Sequence, residues 1–299
     1  GPPRRAGTEN TPVSGATGAK APVLILGCGY TGSLVARMMA GQGHAVWATS
    51  RRPEALAVPD LAVRLRVDTA APESLASLAR IPSRSLALIS VPVVRVGQRL
   101  EDPLPPLLEA LRQRQPSRVV YLSTTGVYGP HREVDETTEP APASETARLR
   151  LAAERAVLEG PWSAMVLRPA AIYGPGRGIH VSMARGEFKL AGDGSNWVSR
   201  VHVEDLARLC AAALLSREGG CWPVADQRPA RSAEIAAFVA GMLGCPMPDC
   251  TPAQQLHETR QANRRVDGSA VFRLLGITLR YPSYREGIPA SLVPGSLKC

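Results

Sequence analysis

Two rhythms of apolar and polar positions alternate along the chain. Short strand-like apolar runs occur at 22–26 (PVLIL), 44–49 (HAVWAT), 62–67 (AVRLRV), 86–91 (LALISV), 118–122 (RVVYL) and 164–168 (AMVLR). Runs of that length predict strands buried in a sheet. Helical periodicity fills the intervals at 31–41, 72–79, 101–114 and 144–159. From residue 22 to about 170 this order predicts an α/β fold. It is a Rossmann-type, doubly wound parallel sheet with helices on both faces and right-handed crossovers. Beyond 174 the chain turns rich in Gly, Pro and Arg. It then predicts a helix at 203–216, a strand near 221–225, a helix at 232–243 and an irregular tail.

The first strand runs directly into chemistry. Gly27, Gly29 and Gly32 give the spacing G-x-G-x-x-G, with Tyr30 and Thr31 inside it, and SLVARMMA continues as a helix. Gly27 permits a tight turn, Gly29 lets the backbone approach a pyrophosphate, and Gly32 allows close helix–strand packing. The helix N-terminus then offers unpaired N–H groups to phosphate oxygens. A bare strand–turn–helix is the bland reading, since the chain holds 27 glycines. The position between a buried strand and an amphipathic helix favours dinucleotide binding. Three segments follow: a disordered extension over 1–20, a dinucleotide-binding domain over 21–175 with its return strand near 221–225, and a mainly substrate-binding lobe over 176–299.

Residues after the second strand bear on which dinucleotide. An acidic side chain about 20 residues past the glycines holds the ribose 2′-hydroxyl of NAD. Here Ser50, Arg51 and Arg52 stand there, and no acid occurs before Glu54. Two guanidiniums and a hydroxyl suit a 2′-phosphate, so the expected cofactor is NADP(H). An ordinary solvated basic turn is the alternative.

Composition narrows the classes. The net charge is +9 and the pI about 9.7, yet the basic residues are scattered, without aromatic interleaving. That pattern argues against a nucleic-acid partner and for attraction of anionic small molecules. Cys28, Cys210, Cys221, Cys245, Cys250 and Cys299 show no C-x-x-C spacing. No disulfide framework and no metal site are therefore expected, and a reducing cytoplasm fits. No apolar stretch reaches the ~18–20 residues that span a bilayer, so no membrane partner is expected. The first twenty residues lack a signal-peptide apolar region.

Four further motifs complete an ordered set: STTGVYG at 123–129, LRPAAIYGPG at 167–176, RVHVEDL at 200–206, and Leu275-Gly276. With the glycine loop, they resemble the extended short-chain dehydrogenase/reductase superfamily, in its sugar-nucleotide epimerase/dehydratase branch, over nearly all of 22–290. The resemblance implies that Asp68 and Thr69 contact the adenine and that Ser90, Val91 and Pro92 line the cofactor ribose. It also implies that Thr124 orients a substrate carbonyl, while Pro169 to Ala171 hold the nicotinamide carboxamide. Thr125, Tyr128, Tyr173, Arg177, His180 and Arg200 fall where a small-molecule substrate would lie. The superfamily often forms homodimers through the helices at about 101–114 and 144–159.

One departure stands out. The superfamily's acid–base pair is Tyr-x-x-x-Lys, with a frequent Glu four residues later, so that all three share one helical face. The matching Glu is Glu154, which puts Arg150 at the Lys position and Thr146 at the Tyr position. No tyrosine occurs between Tyr128 and Tyr173. Arg150 can bind ribose hydroxyls but stays charged. The Thr146 hydroxyl is far too weak an acid to replace a phenol. Among other acid–base groups, His180 is the first candidate, ahead of His131 and His202.

Three functions fit to different degrees. The first is an NADPH-dependent reductase of a small carbonyl or imine, because hydride chemistry belongs mainly to the cofactor. The second is a nucleotide-sugar epimerase or dehydratase, which leans harder on the tyrosine. The third is a non-catalytic NADP-binding regulator or scaffold. The reductase is the preferred reading.

Overall fold

The computed structural model describes residues 18–295 and residue 299. Most of the extension expected to be disordered lies outside the described residues. Seven parallel strands form the central sheet: β1 (Val23–Leu26), β2 (Val46–Ser50), β3 (Val63–Arg66), β4 (Leu86–Ile89), β5 (Arg118–Leu122), β6 (Ser163–Pro169) and β7 (Cys221–Val224). Their order across the sheet is 3-2-1-4-5-6-7. The order reverses between β1 and β4, which opens a crevice beyond the strands' carboxyl ends.

The unbroken apolar runs follow from burial on both faces. Val23 and Ile25 of β1 face one core, shared with Val35, Ala36 and Met39 of α1 (Tyr30–Gly41). Leu24 and Leu26 face the other. The helices α2 (Leu104–Arg112) and α3 (Glu145–Leu158) cover that second face with Leu107, Leu108, Leu111, Ala153 and Val157. A further helix, α5 (Val203–Leu215), packs beside α1 with Leu206, Leu209 and Cys210. The intervening α4 (Ile179–Ala184) belongs to a separate core. There Tyr173, Ile179 and Met183 meet Ile235 and Val239 of α6 (Ser232–Leu243).

Several expectations are corrected. The expected helix at 72–79 is a 3-10 segment, Pro72–Arg80. Its serines compete with helical bonding: Ser74 Oγ donates to Asp68 O (2.9 Å) and Ser77 Oγ to Ser74 O (2.9 Å). The tail expected to be irregular contains α7 (Ser269–Leu275) and α8 (Tyr284–Ala290). Seven residues each are too few to show periodicity, and local signals set their ends. Ser283 Oγ accepts from Arg285 N (3.1 Å), and Gly276 closes α7 at φ 67°. Contrary to the cysteine reading, Cys245 and Cys299 form a disulfide, with Cα atoms 5.3 Å apart. The fold brings together two residues whose separation of 54 carries no local motif. No helix among the described residues is long and apolar enough to cross a membrane.

Close packing at the start of α1 is one steric requirement of this architecture. A Cβ on Gly32 would lie 2.7 Å from Gly27 O and 3.0 Å from Ile25 Cγ2. Gly32→Ala should therefore push α1 off β1 and cost about 1–3 kcal/mol, read as a lowered Tm in thermal unfolding. An unchanged Tm would show that the helix can slide without loss.

Candidate functional site

The crevice begins at the turn between β1 and α1. Gly27 has φ +85°, and a Cβ there would lie 2.4 Å from Ser90 O, so only glycine fits against the end of β4. Its N–H donates to Thr49 Oγ1 (3.0 Å), and Cys28 N donates to Thr49 O (2.9 Å). A Cβ on Gly29 would meet nothing within 4 Å, leaving open space above the turn. Gly29 is the N-cap of α1 and offers no side-chain cap, and the first turn holds no acid. The free N–H groups of that turn, around Tyr30, Thr31 and Gly32, suit a phosphate.

Neighbouring loops extend this cradle. Tyr30 donates to Pro175 O (2.9 Å), and Arg177 stacks over the Tyr30 ring at 5.3 Å. The segment after β6 is thereby folded back on the start of α1. Arg51 and Arg52 are exposed beyond β2, and neither guanidinium has a hydrogen-bond or ion-pair partner among the described residues. Ser50 Oγ accepts from Arg52 N (3.1 Å). Past β3, the Asp68 carboxylate accepts from Ala70 N (3.0 Å), and Thr69 is half-buried. Ser90 and Val91 are half-buried past β4, and Pro92 is exposed. Pro169 is buried, while Ala171 is exposed.

Beneath the middle of the crevice lies a buried ionic network. Glu154 on α3 and Arg168 on β6 form a bidentate pair, with Nη2 to Oε2 at 2.6 Å and Nε to Oε1 at 3.0 Å. Ser123 Oγ donates to the same carboxylate. Arg168 Nη1 donates to Tyr128 OH (3.2 Å) and its guanidinium lies over the Tyr128 ring. Burial alone would lower the Arg168 pKa, but the bonds to Glu154 and Tyr128 raise it overall. Arg168 thus keeps its charge, and the bidentate contact fixes α3 to the sheet.

One turn earlier on α3, Arg150 Nη1 donates to Val91 O (3.1 Å) and to Tyr121 OH (2.9 Å). Tyr121, at the end of β5, is a site neighbour that the sequence gives no sign of. Burial raises its pKa, and the Arg150 charge opposes the rise. Thr146, two residues into α3 from its N-cap, is half-buried and makes no side-chain hydrogen bond. Thr124 caps the short 3-10 turn Thr125–Tyr128: its Oγ1 accepts from Gly126 N at 3.1 Å, which leaves the hydroxyl proton to donate.

Other expected substrate residues are placed differently. His180 is 0% exposed, and burial lowers its pKa. The structure thus places this candidate inside a core, away from the crevice surface. Tyr128 is sealed against Arg168, and Thr125 is buried beside it. Tyr173 donates to Ser283 O (3.4 Å) beneath Gly287 of α8, which makes it a packing residue. His202 is a structural linchpin: its Nδ1 accepts from Glu204 N (3.1 Å), so Nε2–H donates to Ser291 Oγ (3.1 Å). Arg200 is buried without a side-chain hydrogen bond, and burial lowers its pKa to about 10.

Residues 23–222 match the family model described as the NAD dependent epimerase/dehydratase family. The chain belongs to that family. As the family's description states, its members depend on a nicotinamide dinucleotide. Among curated proteins, the 3-diazoavenalumate denitrifying reductase of a Streptomyces species is 29% identical over 158 residues, covering 48% of this chain. The chain spans about half of that relative's length, 52%. Among solved structures, a conserved protein of unknown function from Silicibacter pomeroyi DSS is 31% identical, with TM-score 0.75 over 91% of this chain and 98% of that one. MoeE5, solved with UDP-glucose and NAD, is 24% identical, with TM-score 0.77 over 91% and 97%. These likenesses agree with the Rossmann-type sheet and leave the roles of individual residues to experiment.

The buried pair of this epimerase/dehydratase-family chain generates a double-mutant test. Glu154→Ala strands the Arg168 charge, which is 7% exposed, and should cost about 3–5 kcal/mol in denaturant unfolding. Combining Glu154→Leu with Arg168→Met should recover much of that loss. A single variant as stable as the parent would show that the pair is not the tie between α3 and β6.

Proposed function

We propose that the protein is an NADPH-dependent reductase of a small-molecule electrophile, a carbonyl or an imine, working without the family's tyrosine acid. The reading is carried by the two unpaired guanidiniums, Arg51 and Arg52, at the end of β2. Fixed positive charge at that turn matches a 2′-phosphate better than a ribose diol. Bound NADPH supplies the hydride. The chain's own residues bind and orient: the α1 N-terminus for the pyrophosphate, Arg150 for the nicotinamide ribose, Pro169 and Ala171 for the carboxamide, and Thr124 for the substrate.

Lack of an acid at position 146 bears on the substrate. A ketone needs a proton as hydride arrives, whereas an iminium carbon already bears the charge that hydride neutralises. The Streptomyces relative is named for reductive loss of nitrogen from a diazo compound. A diazonium carbon likewise accepts hydride with no proton supplied, releasing dinitrogen. Electrophiles that bring their own positive charge are therefore the preferred substrates. Nucleotide-sugar epimerisation is the second reading, supported by the family description and by the UDP-glucose complex of MoeE5. Thr146 weighs against it, because that chemistry must move a hydroxyl proton.

Cofactor titration tests the first part. Replacing Arg51 and Arg52 together by Ala should weaken NADPH binding by about 2 kcal/mol or more and leave NADH binding nearly unchanged. Gly29→Val should stay folded and lose both, since its side chain enters the open space above the turn. A parent protein that prefers NADH would overturn the assignment.

Turnover at saturating NADPH tests the second. Thr124→Ala should lower it roughly ten- to a thousandfold, for one hydrogen bond worth about 1.4–4 kcal/mol. Thr146→Ala should retain most activity. Equal severe losses at both would put Thr146 in a proton path, and no hydride transfer to any iminium, diazonium or carbonyl would favour a non-catalytic NADP-binding protein.

A further inference from the structure

A second hollow, of about 650 Å³, opens beyond the end of β7. It shares no residue with the dinucleotide crevice. Four carboxylates line it, Glu133, Asp135, Asp226 and Asp267, against one guanidinium, Arg265. Glu133 already pairs with Arg265. The Asp267 carboxylate accepts from Ser269 N (3.0 Å), and that of Asp135 from Thr137 N (2.8 Å). Asp226 differs from these. It is 4% exposed, its Oδ1 accepts from Arg228 N (3.0 Å), and its Oδ2 has no partner. A buried carboxylate oxygen with no donor is costly, and such a group is accounted for by a ligand or a bound water.

We propose that this hollow binds an organic ammonium group, with Asp226 as its buried counter-ion. Size and chemistry select the class. The volume far exceeds a metal ion, and among the described residues no group of three or more His, Cys, Asp or Glu side chains is arranged to hold one. Val134, Pro229 and Val266 add apolar wall for methylenes beside the charge. An ammonium head brings the N–H donors that Oδ2 lacks. On a chain of net charge +9, a local excess of carboxylates also selects against the anions attracted elsewhere.

Burial pushes the Asp226 carboxyl up to about 7. The Arg228 N–H and the Arg200 charge oppose that rise, while Glu286 and Asp205 add to it. The buried Tyr173 hydroxyl also feels the Asp226 charge. An alkylammonium with a pKa of about 10 stays charged throughout, so binding strengthens as Asp226 ionises. Between about pH 8 and pH 6 the ionised fraction falls from roughly nine-tenths to just under one-tenth, which weakens binding about tenfold.

Calorimetric titration of the whole protein without NADPH, using n-butylammonium and 1-butanol, tests the site. The result expected is saturable n-butylammonium binding at pH 8, about tenfold weaker at pH 6, and none by 1-butanol. Asp226→Asn should abolish binding and its pH dependence. Glu133→Gln, at an exposed position, should weaken binding at least tenfold by leaving the Arg265 charge uncancelled, and serves if the buried variant does not fold. Absent binding, equal binding of the alcohol, or full affinity in either folded variant would overturn the proposal. None of these readouts involves hydride transfer, so they stand apart from the fate of the reductase assignment.

Discussion

The paired charges of Glu154 and Arg168 are the constraint on which the crevice depends. They join α3, β6, the end of β5 through Ser123, and the turn that carries Tyr128. A buried ion pair is weak evidence for net stability, because desolvation offsets its attraction. Its consequence is positional. A bidentate guanidinium–carboxylate contact tolerates little rotation, so it sets the azimuth of α3 about its own axis. Residues one and two turns earlier on that helix, Arg150 and Thr146, are then placed without any freedom of their own.

That placement links the fold to the chemistry. Arg150 is held from two sides, by Val91 O beyond β4 and by Tyr121 OH at the end of β5. Both bonds use the same nitrogen, so the remaining guanidinium donors are available to a ribose. The close approach of Gly27 to Ser90 O brings the β1 turn against the same loop. One steric requirement, at Gly27, and one charged anchor, Arg150, thus converge at the end of β4, where the resemblance sets the cofactor ribose.

Much of this was legible in the sequence, for identifiable reasons. Strands β1 and β4 show because burial on both faces leaves no polar positions in VLIL and LALI. Gly27, Gly29 and Gly32 show because each answers a separate steric demand. Pro72–Arg80 misleads because leucine and alanine spacing looks helical, while its serine hydroxyls divert the backbone. The disulfide and the 7-residue helices at the end escape because nothing local encodes them. Candidate site residues divide the same way. Arg150 and Glu154 are singled out by the family resemblance, which aligns them with one helical motif, and by no local pattern of their own. Tyr121 and Asp226 are read as ordinary strand-end residues until tertiary packing supplies their neighbours, and His180 is sealed by helices that its local sequence does not reveal.

Thr146 and Arg150, which the resemblance sets at the family's Tyr and Lys positions, are best understood together. A lysine at 150 would serve chiefly to hold and acidify a tyrosine at 146, and with threonine there that service has no object. An arginine keeps the positive charge and adds planar donors, which Val91 and Tyr121 hold in one orientation. On the proposed reading, fixed geometry takes the place of proton traffic, as suits a site whose substrate arrives already electron-deficient. Such a substrate demands placement over the hydride donor and no proton from the protein.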